Sequence, residues 1–417
     1  MFLPSARALL GGLLLWVGLG VSAQPISPNT PLHRLGVVNW DTSRGLPSSS
    51  VGAVHVARDR HLWATTLAGG LLRLDGSRVE VFNAATAPEL TAPGFFSIAE
   101  SPEGTLYFGS IDGRVFSYDL GVFRQLPQVP SHQGKGVMVF QSRRGYLLAY
   151  SFAGGELSRW AENRWVPHFQ AGGPLQGREI TTLWEDALDH LWVGTRANGL
   201  WREAAEGSLE PVPDWQGRTI PEITGIAQDL GGQIWIASYR QGLWRGAAGG
   251  PRRPVFRPFA IPHASPRVVG LLPGPYGEMW MGTGGGLFRY FKGTLDRLEP
   301  GEAGFKASVI YSMAFDPEGN LWLGAGHVGV IQLVHRPFQM LGPKEGSPSP
   351  EINAIAEDSQ GRFWIGGQTG LSCLDAQDRA LPTLDHRGFG NERIIKDLLV
   401  DRQGRLWCGT RLGLYRL

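Results

Sequence analysis

HLWVGTRANGLWRE (190–203) and QIWIASYRQGLWRG (233–246) share one pattern: an apolar run centred on Trp, a short polar break, then Gly-Leu-Trp-Arg. The pattern recurs as HLWATTLAGGLLRLDG (61–76), EMWMGTGGGLFRY (278–290), NLWLGAGHVGVIQL (320–333), RFWIGGQTGLSCLD (362–375) and RLWCGTRLGLYRL (405–417). Two weaker copies are TLYFGSIDGRVFSYD (105–119) and YLLAYSFAGGELSRW (146–160). The aromatic slot holds Trp63, Tyr107, Leu148, Trp192, Trp235, Trp280, Trp322, Trp364 and Trp407, at intervals of 41 to 45 residues. Self-similarity at such a period is the mark of a repeat architecture.

Each copy has the same internal order. An apolar run such as Val51–Val56 comes first, then a turn such as SPEG, DLGG, DPEG, DSQG or DRQG. Asp and Ser fold back on the local backbone there, and Gly supplies positive φ. The Trp strand follows, then a strand opening at Gly, then a weaker fourth strand such as Arg78–Phe82. Four short strands in about 43 residues make a propeller blade. The expected fold is therefore an all-β propeller of four-stranded antiparallel blades, in nine repeats. Blades pack face to face, so a large flat side chain in the slot fills the wedge between neighbouring sheets. The Trp residues read as core, not as a stacking platform for sugars.

Composition supports a folded, exported chain. Of 417 residues 42% are hydrophobic and 18% charged, with 59 Gly, and the net charge of +2 gives no case for nucleic acid as a partner. Residues 1–23 read as a signal peptide: Arg7, then the apolar run Ala8 to Gly20, then Val21-Ser22-Ala23 as a small-residue cleavage site. That run is too short for a comfortable membrane span. Residues 24–31 read as a linker and 32–417 as repeats, either nine blades in one ring or seven plus two of a second propeller. The two cysteines, Cys373 and Cys408, occupy different places in their repeats and read as small buried hydrophobes rather than a disulfide.

The stretch NWDTSRGLPSSSVGAVHVARDRHLWATTLAGGLLRLDGSRVEVFN (39–83) resembles the opening repeat of two-component regulator propeller proteins. The likeness rests on its GLPSSSV, D-x-x-x-LW and GGLLRLDG segments and covers about residues 32–417. It implies the periplasmic sensor of a membrane signalling protein, whose propellers precede a β-sandwich, a membrane helix and a histidine kinase or diguanylate cyclase output. Here there are nine repeats rather than fourteen, and kinase and cyclase motifs are absent from the sequence. The expected function is thus a ligand-binding sensor propeller, localised to the periplasm or otherwise exported, without enzyme activity of its own. Its expected partners are a small or oligosaccharide-like ligand and an output domain, and a homodimer is compatible with it. A streptogramin-lyase-like enzyme and a protein–protein scaffold are the alternatives. Nothing in the sequence calls for a cofactor or a metal: HExxH, P-loop, GxSxG and EF-hand motifs do not occur.

Packing needs repetition, and a ligand breaks it. The loops from one blade to the next, and those between second and third strands, share one face. Candidate ligand residues are those that vary there: Phe152; Arg196 and Asn198; Tyr239, Arg240 and Gln241; His327; Gln368; and Arg411. The loops leading into each blade add Phe95, Phe96, Trp215, His263, Phe389 and Arg393. Tyr239 and Arg240 stand out, because IASYRQG places two large side chains where other repeats have small ones. The chain stops after the third strand of the ninth repeat, while LHRLGVVNW (32–40) holds the place of a fourth strand before the first. The expectation is that this N-terminal strand completes the last blade, within this chain or, given the usual four to eight blades, a longer parent.

Overall fold

A computed structural model describes residues 25–75, 78–130, 134–151, 153–169, 173–204, 208–247, 255–261, 267–307, 309–336, 351–375, 381 and 394–417. The expected signal peptide lies outside them. Apart from short 3-10 turns, the described elements are strands, in nine antiparallel sheets. They fall into two units, Met1–Arg336 and Pro337–Leu417.

The first unit holds seven four-stranded sheets. Their innermost strands are Val51–Val56, Phe95–Glu100, Val137–Gln141, Ile180–Glu185, Ile223–Gln228, Val268–Pro273 and Ile310–Phe315. Each lies beside the next, except that blade three meets blade four through its second strand, Leu147–Ser151. The first lies beside the seventh, so the ring is closed. Closure explains where the N-terminal strand goes. Gly36–Trp40 pairs antiparallel with Gly329–Val334 as the outermost strand of blade seven, with Val38 opposite Gln332. It does not join the ninth repeat, as the sequence led us to expect. An even repeat spacing carries no sign of which repeat meets the first.

Residues 25–31 are not a loose linker. Ile26 is buried and donates its N–H to the Gly319 carbonyl at 3.2 Å. Arg289, buried in blade six, donates to the carbonyls of Ser27 (3.2 Å) and Thr30 (2.7 Å) and pairs with Asp296 at 3.1 Å. Asp296 in turn accepts from the Leu32 N–H at 2.8 Å. The segment is strapped to blades six and seven before its strand begins.

Seven apolar cores fill the seven gaps between blades. Trp63, Trp192, Trp235 and Trp280 are fully buried in them. The repeated Asp of the turn has a physical role there. Trp235 Nε1 donates to Asp229 at 2.8 Å, Trp322 to Asp316 at 2.8 Å and Trp192 to Asp186 at 3.0 Å. A buried indole N–H needs such an acceptor. In blade six the turn has Gly274, and Glu278 supplies the carboxylate to Trp280 at 3.3 Å. Blades two and three have Ser101 and Ser142 at the turn and Tyr107 and Leu148 in the slot, so Asp and Trp are lost together. The Arg of the Gly-x-x-Arg strands covers the same indoles: Arg245 lies 4.9 Å from the Trp235 ring and Arg289 5.2 Å from Trp280.

The second unit holds two three-stranded sheets, Ile352–Glu357, Phe363–Gly367 and Gly370–Leu374, then Ile395–Val400, Leu406–Thr410 and Leu414–Arg416. They share one small core around Leu371, Leu398 and Cys408. Ile355 is 63% exposed, whereas Val54, its counterpart in blade one, is 7% exposed. Val54 packs on the blade before it, next to Trp322. Cys373 and Cys408 are buried and free.

Candidate functional site

One face of the first unit is tied together by a repeated backbone bond. In every blade of the ring but the third, the residue that opens the second-to-third-strand turn donates its N–H to the residue leading into the innermost strand of the same blade. The pairs are Leu67 to Ser50, Ile111 to Gly94, Arg196 to Glu179, Tyr239 to Glu222, Gly284 to Arg267 and Gly326 to Val309, at 2.9–3.2 Å. In blades one, four and six the hydroxyl that ends the second strand closes the turn: Thr66, Thr195 and Thr283 donate to Gly70, Gly199 and Gly286. The recurrent Thr is therefore structural.

Just inside this rim the innermost strands change register. In blades one, two, four, five, six and seven the pairing skips after the first residue of the strand. Blade three pairs without a skip. Such bulges re-aim a side chain out of the ladder. The second residues of the seven strands are Gly52, Phe96, Met138, Thr181, Thr224, Val269 and Tyr311, and all seven line one cavity of about 480 Å³. Leu67, Arg196, Glu222, Ile223 and Tyr239 complete its wall. Every blade contributes, so the cavity is the mouth of the ring's central channel.

The wall is divided. Blades four and five contribute both charged groups and most of the polar ones, Thr181, Arg196, Glu222, Thr224 and Tyr239. The other blades contribute Gly52, Leu67, Phe96, Met138, Val269 and Tyr311. Arg196 pairs with Glu179, and Glu222 with Arg240 at 3.1 Å, so the charges balance locally. The Thr181 hydroxyl donates to the Ile223 carbonyl and that of Thr224 to the Val268 carbonyl (2.6 Å), which ties each blade to the next. The aromatic rings are seated on glycine. A Cβ at Gly136 would come within 2.5 Å of the Phe96 ring, and one at Gly326 within 2.9 Å of the Tyr311 ring. Arg267 lies over the Tyr239 ring at 5.6 Å.

Of the candidates read from the sequence, Arg196, Tyr239 and Phe96 line the cavity. Arg240 stands behind the wall as the partner of Glu222 and is largely exposed. Gln241 and Asn198 serve their turns, donating backbone N–H to Ser238 Oγ (3.2 Å) and Thr195 Oγ1 (3.1 Å). His327 is exposed on the turn of blade seven, in a left-handed conformation, and is not part of the wall. Phe95 is buried in the core between blades one and two. Trp215 is exposed, with Arg257 over its ring at 5.2 Å. Gln368 and Arg411 belong to the second unit. Phe152, His263, Phe389 and Arg393 lie outside the described residues.

The loop-centred reading missed Met138, Thr181, Thr224, Val269, Tyr311 and Glu222. A signal for five of them was present. The second position of the innermost strand varies through Gly, Phe, Met, Thr, Thr, Val and Tyr, while the position before it is always large and apolar.

Three segments, 304–327, 346–369 and 388–411, match the two component regulator propeller family. No curated protein matches the chain. Among solved structures, the extracellular domain assigned to the hybrid two component system BT3049 of B. thetaiotaomicron aligns over 92% of this chain and 53% of its own, at 16% identity and a TM-score of 0.75. That of BT4673 from the same organism aligns over 92% and 52%, at 18% identity and a TM-score of 0.58. Virginiamycin B lyase from Staphylococcus aureus aligns over 72% of this chain and 98% of its own, at 14% identity and a TM-score of 0.57. These likenesses establish the propeller fold. The chain spans about half the length of the two signalling structures.

Proposed function

Since the chain carries two component regulator propeller repeats, we propose that it is an exported sensor propeller that binds a small molecule at the mouth of its central channel. The observation that carries this reading is the cavity itself. Seven blades that are otherwise alike place six different residue types in it. Its volume lies within the range of small-molecule sites, and mostly apolar walls with a few convergent polar groups are their usual make-up. Occupancy would bridge the innermost strands of neighbouring blades, which gives a route from ligand to ring shape. The output that reads this shape would be a membrane signalling module. The reading of residues 1–23 as a signal peptide supports export.

A lyase-like activity is the less favoured reading. It would need a general base beside the bound substrate, and the one carboxylate among the lining residues, Glu222, is held in an ion pair with Arg240.

The test is a thermal-shift screen of small molecules against the purified chain, run beside turnover of a lactone panel. A ligand present at 100 times its Kd stabilises by about 2.7 kcal/mol. The expected result is at least one stabilising chemical class and no turnover. Lactone cleavage without a stabilising ligand would overturn the proposal.

A further inference from the structure

One carboxylate of the cavity wall accepts no hydrogen bond from the described residues. Glu222 lines the cavity, and Glu222 Oε2 is buried without a hydrogen-bond partner among the described residues. Arg240 Nε lies 3.1 Å from that oxygen as its ion-pair partner. The Thr181 and Thr224 hydroxyls are engaged by backbone carbonyls and Arg196 by Glu179. Beyond this ion pair the Glu222 carboxylate has no donor among the described residues, and a ligand that brings one gains a charge-assisted hydrogen bond.

Glu222 is also held against its backbone preference, with φ of 51°. Its counterparts in the other lead-in loops, Ser50, Glu179, Arg267 and Val309, have no positive φ. Between blades one and two this position is Gly94, where a Cβ would come within 2.0 Å of the Leu67 carbonyl. In blade five the Glu222 N–H bonds to the Arg196 carbonyl at 2.6 Å across the corresponding junction. A site where glycine suits the backbone, yet a carboxylate stands, points to a use for that carboxylate. Across the cavity lie Leu67, Phe96, Met138, Val269 and Tyr311, with no charge among them.

We infer that the ligand is an amphipathic small molecule: a ring-bearing apolar body against Phe96, Met138 and Tyr311, and a hydrogen-bond-donating head, hydroxyl or ammonium, received by Glu222. This rests on the channel mouth being the ligand site, and it departs from the oligosaccharide-like ligand suggested by the rim residues alone.

Four probes test it by ligand-observed NMR titration of the full chain: phenethylamine, 2-phenylethanol, ethylbenzene and cellobiose. The two donor-headed probes should bind at least tenfold more tightly than ethylbenzene and cellobiose. Phenethylamine stronger than 2-phenylethanol assigns an ammonium head, and equal affinity assigns a neutral donor. Glu222→Gly should weaken only the donor-headed probes, at least tenfold, with a melting temperature at or above wild type, because glycine accepts the left-handed backbone. Equal binding of ethylbenzene, tighter binding of cellobiose, no binding of any probe, or an indifferent Glu222→Gly variant would overturn the ligand class. Val269→Trp separates the two levels: if a probe binds this filled cavity as it binds wild type, the site itself is misplaced.

Discussion

Trp322 donates its indole N–H to Asp316 at 2.8 Å, and the same bond recurs in blades four, five, eight and nine. Blade one breaks the rule. Trp63 is fully buried, Ala57 stands where the Asp would be, and Trp63 Nε1 has no partner. The turn backbone is nonetheless the same, since the Ala57 N–H bonds to the His61 carbonyl at 2.9 Å as the Asp229 N–H does to Gln233.

Ala57→Asp should therefore stabilise the first unit by about 1 kcal/mol, the net worth of a hydrogen bond. Asp229→Ala should cost about 1–3 kcal/mol by orphaning the Trp235 indole. Urea melts of the two variants beside wild type check both signs. A destabilising Ala57→Asp would mean that the local packing of blade one, and not the missing acceptor, sets its stability.

The N-terminal strand is the ring's closure, so its loss should be felt throughout the first unit. Deleting residues 25–40 removes five ladder positions against Gly329–Val334 and bares buried Leu321, Ile331 and Leu333. The expected outcome is loss of cooperative unfolding, read by calorimetry. A milder probe is a disulfide between the opposed positions Val38 and Gln332. Val38→Cys with Gln332→Cys should cross-link on oxidation, and Val38→Cys with Tyr415→Cys should not.

Acid should act in two stages. Burial holds the His168 imidazole at a pKa of about 4, with Arg159 and Arg144 adding to the effect against Glu203. The unfolded chain takes up this proton near pH 6.5, so stability is complete above that pH and falls as pH drops toward 4. The turn aspartates follow. Burial opposes the charge of Asp358, but the Trp364 indole, the Arg362 N–H and the Arg362 guanidinium outweigh it and bring its pKa to about 2. Asp186 is lowered through Trp192 and the backbone N–H groups of His190 and Leu188, again against burial. Their contribution is present above about pH 4 and is lost as pH falls through their folded values. His168→Phe, placed among Tyr146 and Phe169, should flatten the limb between pH 6.5 and 4 and leave the lower one. Unfolding free energy against pH for both proteins decides it.

Gly326 has an ordinary backbone, and its missing side chain makes room for Tyr311. Gly326→Val should move that ring and weaken ligand binding about tenfold with little change in melting temperature. In a Tyr311→Ala background the same substitution should have no further effect, as coupling through one contact requires.

Much of this was legible in the sequence. The Trp slot, the Asp turn and the Gly that opens the third strand recur because every blade must solve the same packing problem. The sharing of one face by two sets of loops followed from strand order. The partner of Gly36–Trp40 could not be read, because which repeat meets the first depends on ring curvature, and among the described residues repeats seven, eight and nine all lack a fourth strand of their own. The cavity was misjudged for a different reason. The polar loops such as Tyr239 to Gln241 carry the more visible variation, but the second residue of each innermost strand faces the axis, at a register skip in every blade of the ring except the third. Thr224 and Tyr311 look like ordinary strand residues until that skip is seen. The strain at Glu222 has no sequence signature at all.

The most direct test is to fill the channel. Met138 lies on the one innermost strand of the ring that pairs without a skip, and Met138→Trp should occupy the cavity while the blades stay folded. The measurement is the Kd, by isothermal titration, of the strongest stabilising ligand from the thermal-shift screen for wild type and for this variant. Binding at the channel mouth predicts a loss of at least a hundredfold at an unchanged melting temperature. A Kd within threefold of wild type would contradict it.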